Sequence, residues 1–314
     1  MKDRVESGIE AFGWHHDLLG GGAGIVEQLG RDHAAIRAEE DAVLLVTFER
    51  AGDILADGPG GRPLAAALAE DAGWSRLSVV ARGETWFRDP AVYAFFDRLI
   101  DQGYFDRFDR VVFYGDGMCG HAAAAYSVAA PGATVIALAP QATLNPAQAG
   151  WDPRFAAARR LDFTSRFGFA PDMIEAAGLA MIVYDPRRPL DAMHAALFRG
   201  PNVVHARAPF CGSGLEEHLL AMGVLPELID AAGEGHLTAQ VFHRLFRARR
   251  TYAPYVSALL DRVARAGRIA PGKRAARSMT GTPIGQHTSV PAPKKPLGRF
   301  LLEDMHRVPA GVTA

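Results

Sequence analysis

The run Val111-Val112-Phe113-Tyr114-Gly115-Asp116-Gly117-Met118-Cys119-Gly120-His121-Ala122-Ala123 decides how the rest of the chain is read. An apolar, β-branched segment enters a glycine-rich turn and leaves it as an alanine-rich helix. That is the build of a nucleophile elbow, a sharp strand-to-helix turn that lifts its apex side chain clear of a parallel sheet. The apex residue here is Gly117, which has no side chain to lift. The same glycines also suit an ordinary strand-turn-helix crossover.

The register of the turn follows from sterics. Backbone and helix approach closely two residues before and after the apex, so small residues are needed there. Centred on Gly117, the flanking residues are Gly115 and Cys119, followed by Gly120. Centred on Asp116, which would make an aspartate the nucleophile, they are the bulky Tyr114 and Met118. The first register is expected.

Working outward, short apolar runs alternate with amphipathic stretches from Val43 onward. Strands are expected at residues 43–48, 77–80, 111–114, 134–138, 181–184 and 202–206. Continuous apolar strands alternating with helices imply an α/β fold, a three-layer sandwich with a mostly parallel sheet covered on both faces. Pro63 and Asp89-Pro90 open helices, and the second carries a stripe of Val92, Phe95, Phe96, Leu99 and Ile100 expected in the core. Helices are also expected from Pro171 and over residues 190–198. A longer one should run from Thr238 toward Ala266, kinked at Pro254.

Three segments are expected. Residues 1–40 contain Gly20-Gly21-Gly22-Ala23-Gly24 and read as a loosely held N-terminal arm, and residues 41–266 form the folded domain. Residues 267–314 hold eight Lys or Arg and two acids and read as a disordered basic tail, with Phe300-Leu301-Leu302 as a short apolar cluster near its end. Lys294 and Lys295 in that tail offer a tether to an anionic partner.

With 314 residues, 49% of them apolar, the chain can bury a large core. A formal net charge of -1 sets up no global field to recruit nucleic acid or membrane. Two cysteines, Cys119 and Cys211, imply no disulfide framework. The first residues lack an apolar signal core, and no run reaches the roughly 20 apolar residues of a membrane span. The expectation is a cytoplasmic protein with no cofactor and no metal site, taking a small-molecule ligand in the crevice at the carboxyl ends of the strands.

A catalytic acid is expected after a later strand and a histidine after the last one. Asp185, at the end of residues 181–184, fills the acid position; Asp-Pro is also an ordinary turn start. The loop Arg207-Ala208-Pro209-Phe210-Cys211-Gly212-Ser213-Gly214 contains no histidine, and Ser213 stands where one is expected. His205 falls inside the last strand and His218 inside the next helix, so each reads as structural or solvent-facing. Cys119, at a helix start, reads either as a thiol whose thiolate the helix favours or as a small apolar filler. It faces Cys211 across the expected crevice, so the two are a candidate redox pair.

These features, with Thr85-Trp86-Phe87-Arg88-Asp89-Pro90, Ala139-Pro140-Gln141-Ala142-Thr143-Leu144, Asp162-Phe163-Thr164-Ser165-Arg166 and Leu190-Asp191-Ala192-Met193-His194, resemble the α/β-hydrolase superfamily over residues 40–265. More narrowly they resemble an alphaproteobacterial family often labelled phosphoadenosine phosphosulfate reductase. The Ser-Gly-Gly loop and C-terminal Glu-Cys-Gly-Leu-His motif of such a reductase have no counterpart here.

The resemblance implies a hydrolase-like protein with a degraded triad: Gly117 at the nucleophile position, Asp185 as the acid and no base. A non-catalytic binding or regulatory role is expected; the alternative is a hydrolase or acyl-transfer enzyme using Cys119 or Asp185. The Met118 amide stands where half of an oxyanion hole would be, with a second amide near Phe48 or Glu49. Ligand contacts are expected from Gly115, Asp116, Met118, Gln141 and Ser213, and among the polar set Arg88, Asp89, Thr143, Asp191 and His194.

Overall fold

The computed structural model describes residues 24–56 and 63–265. The basic tail, with Lys294, Lys295 and Phe300-Leu301-Leu302, lies outside the described residues, as do residues 1–23.

In chain order the regular elements are β1 (Ile25–Leu29), β2 (His33–Ala38), β3 (Val43–Arg50), α1 (Ala51–Ala56), α2 (Leu64–Ala72), β4 (Ser75–Ala81), α3 (Pro90–Asp101), β5 (Arg110–Asp116), α4 (Met118–Tyr126) and β6 (Thr134–Leu138). They continue with α5 (Pro146–Ala149), α6 (Ala170–Met173), β7 (Leu179–Tyr184), α7 (Pro189–Ala195), β8 (Val203–Arg207), α8 (Leu215–Ala221), α9 (Val224–Gly233), α10 (Ala239–Leu245) and α11 (Ala253–Arg265). The strands form one eight-stranded sheet in the order β1-β2-β4-β3-β5-β6-β7-β8. Pairing is parallel from β4 through β8, while β1 with β2 and β2 with β4 are antiparallel.

All six expected strands are present. The arm is not what its glycines suggest: residues 25–38 form a hairpin that pairs onto β4 and extends the sheet. Its turn is made at Gly30, whose φ of 66° suits glycine.

Alternate residues of the central strands point to opposite faces, and two cores result. One joins Val46, Phe48, Phe113 and Val135 to α3 and α4. The other joins Leu45, Val112, Ile136 and Met181 to α2, α8, α9 and α10. Helix α4 is buried at all nine positions, so small alanines let it lie against the middle of the sheet. In α3 the carboxylate of Asp89 caps the Ala91 amide at 2.8 Å, and Val92, Phe95, Phe96 and Leu99 are buried. Ile100 is not: it stands 45% exposed, because the buried arc of this helix is narrower than the apolar stripe.

The expected long helix from Thr238 is broken rather than kinked. Helix α10 runs into a 3-10 turn at Phe246–Arg250, and α11 begins afresh with Pro254 in its first turn, where proline costs no hydrogen bond.

Candidate functional site

The elbow is built as its sequence requires. Gly117 sits between β5 and α4 with φ 56° and ψ −116°, which a side chain adopts only under strain. A Cβ on Gly115 would stand 2.3 Å from the Cys119 carbonyl oxygen, and one on Gly120 would stand 2.9 Å from the Leu138 carbonyl oxygen. A Cβ on Gly117 would meet nothing within 4 Å. The two flanking glycines are therefore demanded by close backbone approach, and the apex faces open space. This puts Gly117 at the apex and Asp116 at the end of the strand.

The amide of Met118, first in α4, has no acceptor among the described residues, while its Sδ accepts the Trp86 amide at 3.2 Å. Across from it, pairing of β3 with β5 ends at Thr47 and Tyr114, while pairing with β4 continues to Arg50 and Ala81. The backbone edge of β3 facing the elbow is thus open at Phe48 and Glu49.

Strain gathers at this end of the sheet. Trp86 (φ 49°) and Phe87 (φ 54°) follow β4, Ala139 (φ 40°) follows β6, and Phe210 (φ 68°) follows β8. Non-glycine residues hold such conformations only where surrounding packing over-determines them.

Asp185, the expected acid, has both carboxylate oxygens already satisfied. Asp185 is buried; its Oδ1 accepts the Arg187 amide and its Oδ2 the Gly212 amide, both at 2.9 Å. Ser213, the next residue, is exposed. His205 Nε2 bonds the Phe198 carbonyl at 3.1 Å, and His218 Nδ1 bonds the Tyr252 hydroxyl at 2.9 Å. Each histidine is held by a partner of its own.

The cysteines do not meet. Both are free and buried, Cys119 in the core of α3 and α4 and Cys211 in the core on the other face of the sheet. They are therefore not a redox pair: each follows a strand in sequence, but their side chains belong to different cores. Burial pushes the Cys119 thiol well above its ordinary range and the Cys211 thiol up to about 12.

Beside the elbow a cavity of about 220 Å³ opens between β3, α1, α2, β5 and α8. Its apolar wall is Phe48, Ile54, Leu64, Ala67 and Leu220; Glu49, Arg50, Asp53, Asp116, Cys119 and Glu216 complete it. Asp116 is held well above the usual carboxylate range by burial and then by the charge of Glu216. Burial likewise raises Glu216, which accepts a hydrogen bond from the Tyr114 hydroxyl. Arg50 is engaged by Asp53, Nε to Oδ2 at 2.6 Å. Glu216 was not among the sequence candidates: it lies 100 positions from Asp116, and only its place in the first turn of α8 could have pointed to it.

Gln141 belongs to a different neighbourhood. Its carbonyl oxygen accepts from His121 Nδ1 at 2.8 Å, which fixes the proton on Nδ1, and burial holds His121 down to about 4. His121 Nε2, Gln141 Oε1 and Trp86 Nε1 are buried without a partner.

The remaining polar set holds the loops together. Arg88 donates to the Asp162 and Arg166 carbonyls at 2.7 and 2.8 Å and to the Ser165 hydroxyl at 3.1 Å. Thr143 Oγ1 accepts the Asn145 amide at 3.1 Å. His194 accepts the Ala142 amide at Nδ1 and donates from Nε2 to Asp152 at 3.1 Å. Arg154 joins Asp152 to Asp191.

Strand order, the elbow at Gly117 and a buried acid after β7 define an α/β-hydrolase-like fold. Among solved structures, the chain is similar to an esterase of Pyrobaculum calidifontis at 16% identity, over 72% of this chain and 85% of that one, with a TM-score of 0.39. It is similar to carboxyl esterase 2 of the mycorrhizal fungus Tuber melanosporum at 14% identity, over 72% and 87%, with a TM-score of 0.40. A hormone-sensitive lipase from a metagenome library shows 16% identity over 70% and 84%, with a TM-score of 0.41. No protein-family model and no curated protein matches the chain.

Among the described residues no helix is long and apolar enough to cross a membrane.

Proposed function

We propose that this protein is a non-catalytic binding or regulatory protein on an α/β-hydrolase-like scaffold, taking a small molecule at the carboxyl ends of its strands. The observation that carries the reading is Gly117 itself: the apex backbone keeps the strained elbow conformation but presents no nucleophile. Asp185 supports it, because both carboxylate oxygens are spent on backbone amides and the adjacent loop supplies no base. Without a base a hydroxyl near the elbow stays unactivated. The free Met118 amide, by contrast, keeps the capacity to bind a carbonyl or an anion without cleaving anything. Burial argues against Cys119 as a nucleophile, since the thiolate is the reactive species. Two free thiols suit a reducing, cytoplasmic compartment.

The test is a panel of short acyl esters and thioesters with a fluorophosphonate probe, applied to wild type and Asp185→Asn. No turnover above background and no covalent labelling is expected. Turnover by wild type that Asp185→Asn abolishes, with the fold intact, would overturn the reading.

A further inference from the structure

We propose that the cavity between Asp116 and Glu216 binds a small organic cation, an ammonium group carried on a short apolar body. This deepens the binding-protein reading and rests on it.

Size and lining set the body of the ligand. About 220 Å³ is less than the roughly 300–1,000 Å³ of clefts for drug-sized ligands, so the occupant is a compact molecule. Phe48, Leu64, Ala67 and Leu220 give it an apolar wall.

Charge sets its head group. Asp116 accepts no hydrogen bond and makes no ion pair among the described residues, although it lines the cavity. Glu216 on α8 takes only the Tyr114 hydroxyl. Glu49 is committed to the Thr47 hydroxyl and to the Leu64 amide at 2.6 Å. Among the described residues the one cation in the lining, Arg50, is engaged by Asp53. Among the described lining residues acid therefore exceeds base, and the unpaired acceptor belongs to a residue of the cavity wall. An anion would be repelled. Among the described residues no three donors converge to hold a metal ion, whereas an ammonium needs only acceptors beside an apolar surface.

Proton linkage gives the idea a signature of its own. The two carboxyls share a desolvated site, and each group stays protonated above its ordinary range. A bound ammonium favours the ionised pair, so a proton leaves the carboxyls for the buffer as the amine enters already protonated. Among the described residues Tyr114, Cys119, Glu49, Arg50, Asp53, Asp191 and Glu217 are the other titratable groups acting on the pair, and Tyr114 and Cys119 stay neutral.

Calorimetric titration of the full chain with phenethylamine, phenethyl alcohol and hydrocinnamate tests this, run in phosphate and in a sulfonate buffer of different ionisation enthalpy. Saturable amine binding is expected, about tenfold or more tighter than the alcohol, with proton release read from the buffer dependence. Asp116→Asn and Glu216→Gln should each weaken the amine by about tenfold or more and suppress the release. Ala67→Leu fills the cavity without touching a carboxylate and should abolish binding even if a carboxamide variant fails to fold. Equal affinity for the alcohol, preference for the carboxylate, or no binding at all overturns the proposal. Ester turnover by wild type would sink the non-catalytic reading whatever the amine does; amine binding that fails while turnover is also absent sinks only this inference.

Discussion

The Asp185 carboxylate accepts the amide hydrogen of Gly212 at 2.9 Å, one residue before Ser213, and so ties the loop after β7 to the loop after β8. In a working triad a carboxylate at this place orients an imidazole. Here it orients backbone, and it stabilises the loop that would carry the base. The carboxylate thus has a structural role that requires no catalysis.

On the proposed reading, a nucleophile and a base can be supplied by substitution. Gly117→Ser places a side chain in open space and should fold, at a cost of about 1–2 kcal/mol for the strained backbone. Alone it should hydrolyse activated esters no faster than wild type, since no base is supplied. Adding Ser213→His next to the Asp185 anchor should raise the rate over the single variant by about tenfold or more, within the range of general-base catalysis. A single variant as fast as the double one would mean that the fold already holds a base.

The flanking glycines should be far less tolerant than the apex. Gly115→Ala drives its methyl into the Cys119 carbonyl and the Gly120 amide, backbone atoms of a helix with no room to retreat. Loss of about 4 kcal/mol or failure to fold is expected, against about 1–2 kcal/mol for Gly117→Ala. Denaturant melts of the two variants side by side decide it, and equal costs would mean that the strand-helix contact is looser than the geometry requires.

Neither thiol should behave as a reactive one. With Cys119 4% exposed and Cys211 pushed up to about 12, iodoacetamide at neutral pH should modify each at least about a hundredfold more slowly than a free thiol. Denaturant should erase the difference. Peptide mapping after timed labelling reads both sites at once, and fast native labelling of Cys119 would reopen its claim as a nucleophile.

What the sequence made legible follows burial. Strands β3 to β8 carry apolar runs set off by turns, and those are the runs that can be read without contacts. The hairpin escaped because Val26, Glu27 and Gln28 sit half-exposed at the sheet edge, where polar residues are tolerated and the pattern fades into the glycine-rich segment before it. Ile100 was misplaced because apolar spacing does not fix how wide an arc a helix buries. The elbow register was readable because it is steric and local. The Asp116 and Glu216 pair was not, because residues so far apart in the chain meet only through the packing of α8 beside β5, and nothing in either neighbourhood announces the other.

His121 gives the fold a specific acid sensitivity. Burial holds the ring down to about 4 against an ordinary 6.5, opposed by its hydrogen bond to the Gln141 carbonyl. Between those values the unfolded chain binds a proton that the folded one refuses, so stability falls as pH drops through that window, by about 1.4 kcal/mol per unit and about 3 kcal/mol in all. Asp116 and Glu216 act in the opposite sense, because their raised pKa values stabilise the fold at low pH and lose that contribution as pH rises. The wild-type curve alone mixes these contributions. His121→Asn keeps a donor for the Gln141 carbonyl and removes the titrating ring. Its stability, measured by denaturant melts across the window, should lose the His121 slope and leave in place the contributions of the carboxylates and of His33 and His194, which burial also lowers, so that wild type and variant converge toward the acid end. Parallel curves would mean that the folded protein already accommodates the protonated ring, and that His121 Nε2 has a hydrogen-bond acceptor within reach.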